Sequence, residues 1–281
     1  MDTEKQIFRD GSTTYYWSSK FFPKGVRDDV FKLYSFVRVV DDMVDQVPAD
    51  TKRFQKMQKR WKTVKKQLDN GEKPGPLDDS VDERVLGNMV HIVHRFDCDP
   101  AWVDAFLASM KMDVDQRNYK TLDDTLEYIY GSAEVIGLFM AKIMQLPVAP
   151  YETAQMQGRA MQFINFLRDI DEDNELGRQY FPQKTLKKFG LKDLSQKTAQ
   201  AHPEEFKAFV REQLDLYDQW QGEAYKGYSY IPKRLRIPLQ TATDMYNWTA
   251  EQIRENPMIV FDQKVKPKKR RVVYTATKNI L

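Results

Sequence analysis

Apolar positions recur along this chain at alternating steps of three and four, and almost nowhere at steps of two. Val26, Val30, Leu33, Val37, Val40 and Val44 trace one stripe, the mark of a single helical face. Phe54, Met57, Trp61, Val64 and Leu68 trace another, backed by a lysine-rich outer face. Leu86, Met89, Val90, Val93 and Asp97 predict a further helix, stopped near Pro100. The same period predicts helices around 101–114, 122–146, 151–174, 203–228 and 236–255, punctuated by Pro147, Pro150, Pro182, Pro232 and Pro257. Residues 70–80, NGEKPGPLDDS, are dense in helix breakers and read as a turn region. Strand alternation with hairpin turns is nearly absent, and no repeat or long linker divides the chain. The expectation is one all-α domain of stacked helices over residues 1–281, with a basic C-terminal tail from about 264 to 281.

Composition adds bounds. The chain has 281 residues, 41% of them hydrophobic and 12% aromatic, enough to bury a sizeable core. A net charge of +3 says little about partners. Cys98 is the single cysteine, so no disulfide can form within the chain, which fits a reducing, cytoplasmic compartment. The opening MDTEKQIFRDG is polar and lacks a signal-peptide core. The most apolar run, VIGLFMAKIMQLPVA, is short and interrupted by Lys142, so a soluble or peripheral protein is expected.

Two helices carry acids where they are least expected. In VRVVDDMVDQVP, Asp41 falls inside the apolar stripe of its helix and Asp45 lies on its edge. A carboxylate that loses water without a partner costs several kcal/mol or changes its protonation state. The second segment is QFINFLRDIDEDNELGRQYFP. Met156, Ala160, Phe163, Leu167 and Ile170 form its stripe, and Asn165, Asp169 and Asp173 step by four beside it, led by Gln162, with Arg168 and Arg178 nearby. Each D-x-x-x-D pair sits on one side of its helix. If the two helices face each other, the acids converge and repel unless cations lie between them. Hard oxygen ligands suit Mg²⁺, which keeps waters and shares phosphate oxygens, so the pattern points to a diphosphate clamp. A single D-x-x-x-D is more often a solvated face, and Arg38 could pair with Asp41; the joint occurrence favours the shared site.

These segments resemble the trans-isoprenyl diphosphate synthases that join two prenyl diphosphates head to head: the squalene, dehydrosqualene and phytoene synthases. STTYYWSSKFFPKGVRDDVFKLYSFVRVVDDMVD looks like the family's opening. YKTLDDTLEYIYGSAEVIG looks like its middle segment, NFLRDIDEDNELGRQYFP its second signature, and IPKRLRIPLQTATDMYNWTAEQI its late helix. The resemblance runs over nearly the whole chain. It implies a single-domain isoprenoid-synthase-type helical bundle around a central cavity. It assigns Asp41, Asp42 and Asp45 to one Mg²⁺-binding motif and Asn165, Asp169 and Asp173 to the other. Ser12, Thr13, Thr14, Tyr34, Arg38, Gln162, Arg168, Arg178 and Tyr180 fall where diphosphates are held, and Tyr246 joins the four motif aspartates among the catalytic positions. Two departures stand out. Glu134 sits where glycine is common, and Met258 and Ile259 stand where some members carry an arginine that Lys264 could replace.

The implied chemistry is ionisation of an allylic diphosphate with Mg²⁺ (two or three ions), sheltered in a dry cavity for which Phe21, Phe22, Tyr128, Phe163 and Phe166 are candidate linings. The GSAEVIG wording resembles phytoene synthases, so two geranylgeranyl diphosphates giving phytoene, via a cyclopropylcarbinyl diphosphate, is the leading expectation. A squalene or dehydrosqualene synthase using two farnesyl diphosphates, with NADPH for a squalene-type product, is the alternative. A prenyl diphosphate phosphatase of this fold and a non-enzymatic helical scaffold stand behind it. Outside these motifs, His91, His94 and Cys98 share a helix side as a weak zinc candidate with no fourth ligand. The basic run KVKPKKRR suits anionic lipid head groups better than nucleic acid, for which no reading motif exists.

Overall fold

The computed structural model describes residues 2–115 and 118–280. Among these the secondary structure is helical, apart from one isolated parallel bridge between Asn118 and Gln179. Two short helices, α1 (Asp2–Gly11) and α2 (Thr13–Ser19), lead into the long α3 (Lys24–Asp45). Next come α4 (Thr51–Asp69), α5 (Val81–Arg95) and α6 (Ala101–Asp115). A composite helix follows, made of α7 (Leu122–Ile129), a π-turn (Tyr130–Glu134) and α8 (Val135–Ile143). After α9 (Tyr151–Arg168) and α10 (Ile170–Glu175) come two short helices, α11 (Gln183–Lys188) and α12 (Gln196–Ala201). The chain ends through α13 (Pro203–Lys226), α14 (Lys233–Glu255), α15 (Ile259–Asp262) and α16 (Lys269–Ile280).

Local chemistry explains many of these boundaries. Asp50, Ser80 and Thr121 each accept a bond from a backbone N–H of the helix that follows, at 3.1 to 3.3 Å. Thr121 and Asp124 complete a reciprocal capping box at the start of α7. Pro203 opens α13, where its missing N–H costs nothing. The 122–146 helix expected from periodicity carries the π-turn in its middle and ends at Ile143. The 151–174 helix breaks at Asp169, whose φ of −100° and ψ of 14° leave the helical region. The helix expected to carry Leu86 through Asp97 ends at Arg95, because Asp97 adopts φ 49° and turns the chain back so that the Cys98 N–H reaches the Val93 carbonyl at 3.0 Å.

Helix α9 is the hub, packed by α8, α13, α14 and the π-turn. Its Gly158 passes so close to the π-turn that an added Cβ would lie 2.3 Å from the Ala133 carbonyl oxygen. Buried aromatic rings extend this core: Phe163 packs edge-on to Phe181 at 5.5 Å and Trp220 at 4.9 Å, and Phe166 stacks on Tyr180 at 4.3 Å. Phe163 is thus core, not cavity lining.

Most of the basic C-terminal tail expected from about 264 is helical and packed on the bundle. Residues 269–280 form α16, which lies against α2 and α14 with Val272 and Ala276 buried. Lys269 Nζ sits 3.8 Å from the Trp17 ring centroid, and the Arg271 guanidinium 4.6 Å from that of Trp248. Asn279 donates to Thr241 and to Asp244, at 3.2 and 2.9 Å. Pure charge could not hold a helix here; the two tryptophans and the small Ala276 give it a surface to bury.

Gly158→Ala should lose about 1–3 kcal/mol of stability, since the clashing atom is backbone. Gly87→Ala, whose methyl meets nothing within 4 Å, should gain about 0.5–1 kcal/mol from helix propensity. Urea unfolding of both variants beside the wild type checks the contrast.

Candidate active site

A cavity of about 740 Å³ opens between the helices. Its apolar lining includes Phe22, Leu33, Phe106, Met110, Ile136, Met140 and Leu239. Its polar lining comes from the junction of α1 with α2, from α3, from α9 and α10 with the loop after them, and from Lys264 and Lys266. Every site residue expected from the sequence borders this cavity except Asp42. Asp42 is 48% exposed and pairs with Arg38 at 2.5 Å. Of the expected aromatic lining, Phe22, Tyr128 and Phe166 border the cavity; Phe21 and Phe163 do not.

The acidic column survives the break in its helix. The Asp169 N–H reaches the Asn165 carbonyl and the Asp173 N–H reaches the Asp169 carbonyl, both at 2.8 Å, so the four-residue step continues from α9 into α10. Gly177, at φ 67°, then ends α10. Its N–H reaches the Asn174 carbonyl at 3.0 Å and that of Arg178 reaches the Asp173 carbonyl at 2.8 Å, the paired closure of a Schellman motif. This sharp stop sends Arg178 back across the cavity to α3. There it donates to Asp45 Oδ1 at 2.6 Å and to the Val44 carbonyl at 2.8 Å. One guanidinium thus ties the two acidic segments together.

The remaining charges pair unevenly. Arg168 grips the Asp169 carboxylate with two donors, and Lys264 pairs with Asp169 at 3.4 Å and with Glu172. Burial alone would raise Asp169, but Arg168 and Lys264 hold it below its ordinary value. Asp41 is raised well above the carboxylate range by burial and by Asp45, although Arg38 donates to it at 3.3 Å. Burial and the neighbouring Asp169 push Asp173 up to about 8. Lys266 is pulled down to about 8 by burial and by Lys264 and Arg168. The site therefore leaves Asp41 and Asp173 short of positive charge while Arg168, Lys264 and Lys266 crowd around Asp169.

This donor set fits a hard divalent cation. It consists of oxygens, it is short of positive charge at Asp41 and Asp173, and Asn165 Oδ1 is buried without a partner. Among the described residues no three His, Cys, Asp or Glu side chains converge as a ready cage. The acids flank the space rather than enclose it.

Asp113 and Lys266 border the cavity without having been singled out in the sequence. Asp113 carried the same signal as Asp41: it continues the stripe Val103, Phe106, Met110 of α6, a carboxyl among core positions. Lys266 carried none, being one lysine among many. Glu134 does not border the cavity. It is 3% exposed and pairs with Arg159 at 2.7 Å, linking the π-turn to α9. The zinc candidate fails. Cys98 lies past the end of α5, buried against the Ile92 carbonyl at 3.8 Å, with burial pushing its thiol up to about 12. His91 is engaged by Asp29 and Lys32, at 3.3 and 3.0 Å.

Comparison with known proteins bears on the fold and the family. The chain is 31% identical over 244 residues to a 15-cis-phytoene synthase of Enterobacter agglomerans, covering 84% of this chain and 80% of that protein. It is 32% identical over 182 residues to a presqualene diphosphate synthase of Rhodopseudomonas palustris, covering 64% and 61%. Its fold matches the crystal structure of a dehydrosqualene synthase with a TM-score of 0.75 at 21% identity, over 99% of this chain and 94% of that one. The helical bundle around a central cavity is thus the isoprenoid-synthase fold. The profile of the squalene/phytoene synthase family matches residues 8–271, a span that contains every residue lining this cavity, and the chain belongs to that family of prenyltransferases, which condense prenyl diphosphates head to head.

Proposed function

We propose that this protein condenses two geranylgeranyl diphosphates to phytoene through a cyclopropylcarbinyl diphosphate, with Mg²⁺. The observation that carries this reading is the placement of two acidic segments and a set of cations around one cavity whose remaining wall is apolar. Asp41, Asp45, Asn165, Asp169 and Asp173 would hold the metal. Bound there, Mg²⁺ would supply Lewis-acid stabilisation of the departing diphosphate. Arg168, Arg178, Lys264 and Lys266 add positive charge to the same region, and Ser12, Thr13, Thr14, Tyr34, Gln162 and Tyr246 offer polar contacts around it. The apolar lining shelters the prenyl chains and keeps water from the allylic cation. Tyr128 and Phe166 offer ring faces to that cation. Similarity to the 15-cis-phytoene synthase supports the C20 substrate. Similarity to the presqualene diphosphate synthase keeps a C15 reading as the second, with NADPH for a squalene-type product.

The outer face of α16 supports peripheral docking on an anionic membrane. Tyr274 is 73% exposed, Val273 and Ile280 are exposed too, and Arg270 and Lys278 flank them. Such a face suits an interfacial helix, and no helix among the described residues is long and apolar enough to cross a membrane.

Incubation with Mg²⁺ and C20 diphosphate should give a C40 hydrocarbon by mass spectrometry; consumption of C15 diphosphate alone would overturn the chain-length assignment. Asp169→Asn should cut turnover by about 10²-fold or more, the scale of removing a group that stabilises developing charge. Because the folded-state value of Asp173 lies above that of an unfolded aspartate, the folded protein retains a proton the unfolded chain has lost. Metal-free stability should therefore fall as pH rises from about 4 to 8. Mg²⁺ should raise Tm more at pH 8 than at pH 6, and equal gains at both would count against Asp173 as a ligand. Pelleting with anionic vesicles should weaken in high salt and in the Arg270→Gln/Tyr274→Ser variant.

A further inference from the structure

Asp113 is buried at the cavity wall, 3% exposed, and its two carboxylate oxygens are each taken by a different phenol. Tyr128 donates to Oδ2 at 2.8 Å and Tyr180 donates to Oδ1 at 2.6 Å. Both tyrosines are nearly buried, and both border the cavity. They come from different elements, α7 and the loop after α10, and their rings meet at 4.9 Å. The Arg178 Nε lies 4.0 Å from the same carboxylate and has no hydrogen-bond partner of its own. The cluster is therefore a closed arrangement of one acid, two phenols and one guanidinium.

The direction of these bonds decides what the cavity sees. A phenol has one proton and retains lone pairs on its oxygen. With both protons spent on Asp113, neither hydroxyl can donate to a substrate, and each oxygen is left as an acceptor polarised by the anion behind it. Burial, with Asp113 beside them, drives both phenols well above their ordinary range, so they stay neutral. Burial raises Asp113 only to about 6, so it remains ionised near neutral pH. An acceptor with no proton to give favours a positive charge in the cavity.

We propose that Asp113 is a positioning residue for the head-to-head reaction: it holds the Tyr128 and Tyr180 hydroxyls as acceptors facing the cavity, where their oxygens stabilise the prenyl cation. Asp113 need not touch the substrate to do this. Sequence distance hid the arrangement, because its members lie at positions 113, 128 and 180.

The inference rests on the head-to-head reading but not on chain length, so the assay uses whichever of the C15 and C20 diphosphates the wild type consumes. Asp113→Asn keeps the shape but replaces one acceptor with a donor, which forces one phenol to reverse its proton. The expected result is a kcat lower by about 10- to 100-fold with KM within about threefold, the pattern of an interaction made in the transition state. Tyr128→Phe should cost several-fold in the wild type and much less in the Asp113→Asn background, because the two act as a unit. A wild-type kcat in Asp113→Asn, a loss confined to KM, or additive losses in the pair would overturn the inference alone. If Asp113→Asn does not fold, Asp113→Glu, which keeps the charge and displaces it, is read by the same split. A wild type that consumes neither diphosphate overturns the inference and the underlying reading together.

Discussion

Crowded negative charge is the constraint on which this structure turns. Asp41, Asp45, Asp113, Asp169 and Asp173 all border one cavity. Left alone they repel one another and resist ionisation, as the raised Asp41 and Asp173 show. The fold tolerates the crowding by distributing cations unequally. Arg168 and Lys264 neutralise Asp169, Arg38 reaches Asp41 and Asp42, and Arg178 spans from the loop after α10 to Asp45. The shortfall that remains is the charge that Mg²⁺ would balance under the proposed function.

Holding such charges in place requires a stiff frame. The hub helix α9 gains stiffness from close backbone contact at Gly158 and from the aromatic packing around Phe163 and Phe166. The Glu134–Arg159 pair locks the π-turn to α9, and Arg159 also lies 5.4 Å from the Trp220 ring centroid on α13. Removing one partner of such a buried pair leaves an uncompensated charge, typically at a cost of about 3–5 kcal/mol. The pair is also the physical account of why an acid stands at 134: it serves the frame, away from the reacting space.

The same frame separates two environments within one cavity. Carboxylates and cations from α3, α9 and α10 gather around the cavity, while Phe22, Met110, Ile136 and Met140 supply apolar surface. A diphosphate and a long hydrocarbon need those two environments side by side. Helix α16 seals the outside of α2 and α14 through Trp17 and Trp248 and turns its remaining basic and apolar side chains outward. The C-terminal segment thereby becomes part of the architecture rather than an appendage.

Much of this was legible in the linear chain because local periodicity reports local structure. Most helices, the two acidic columns and the placement of Asp41 inside an apolar stripe follow from steps of three and four. Family resemblance then attached roles to positions such as Asn165, Arg178 and Tyr246. Periodicity was blind to events that break a helix without breaking its pattern, so the π-turn at 130–134, the stop at Asp169 and the early end of α5 were not visible. The candidate linings set Phe163 beside Phe166, although only Phe166 borders the cavity. The zinc-like trio of His91, His94 and Cys98 failed for the same reason, since steps along a helix mean nothing once the helix has ended. What the sequence by itself determined were the helices and the chemistry each one carries. What only the tertiary structure decided was which side chains meet. Arg178 with Asp45, Asp113 with two tyrosines, and Lys266 at the cavity wall depend on contacts between residues far apart in the chain, and no local spacing encodes those.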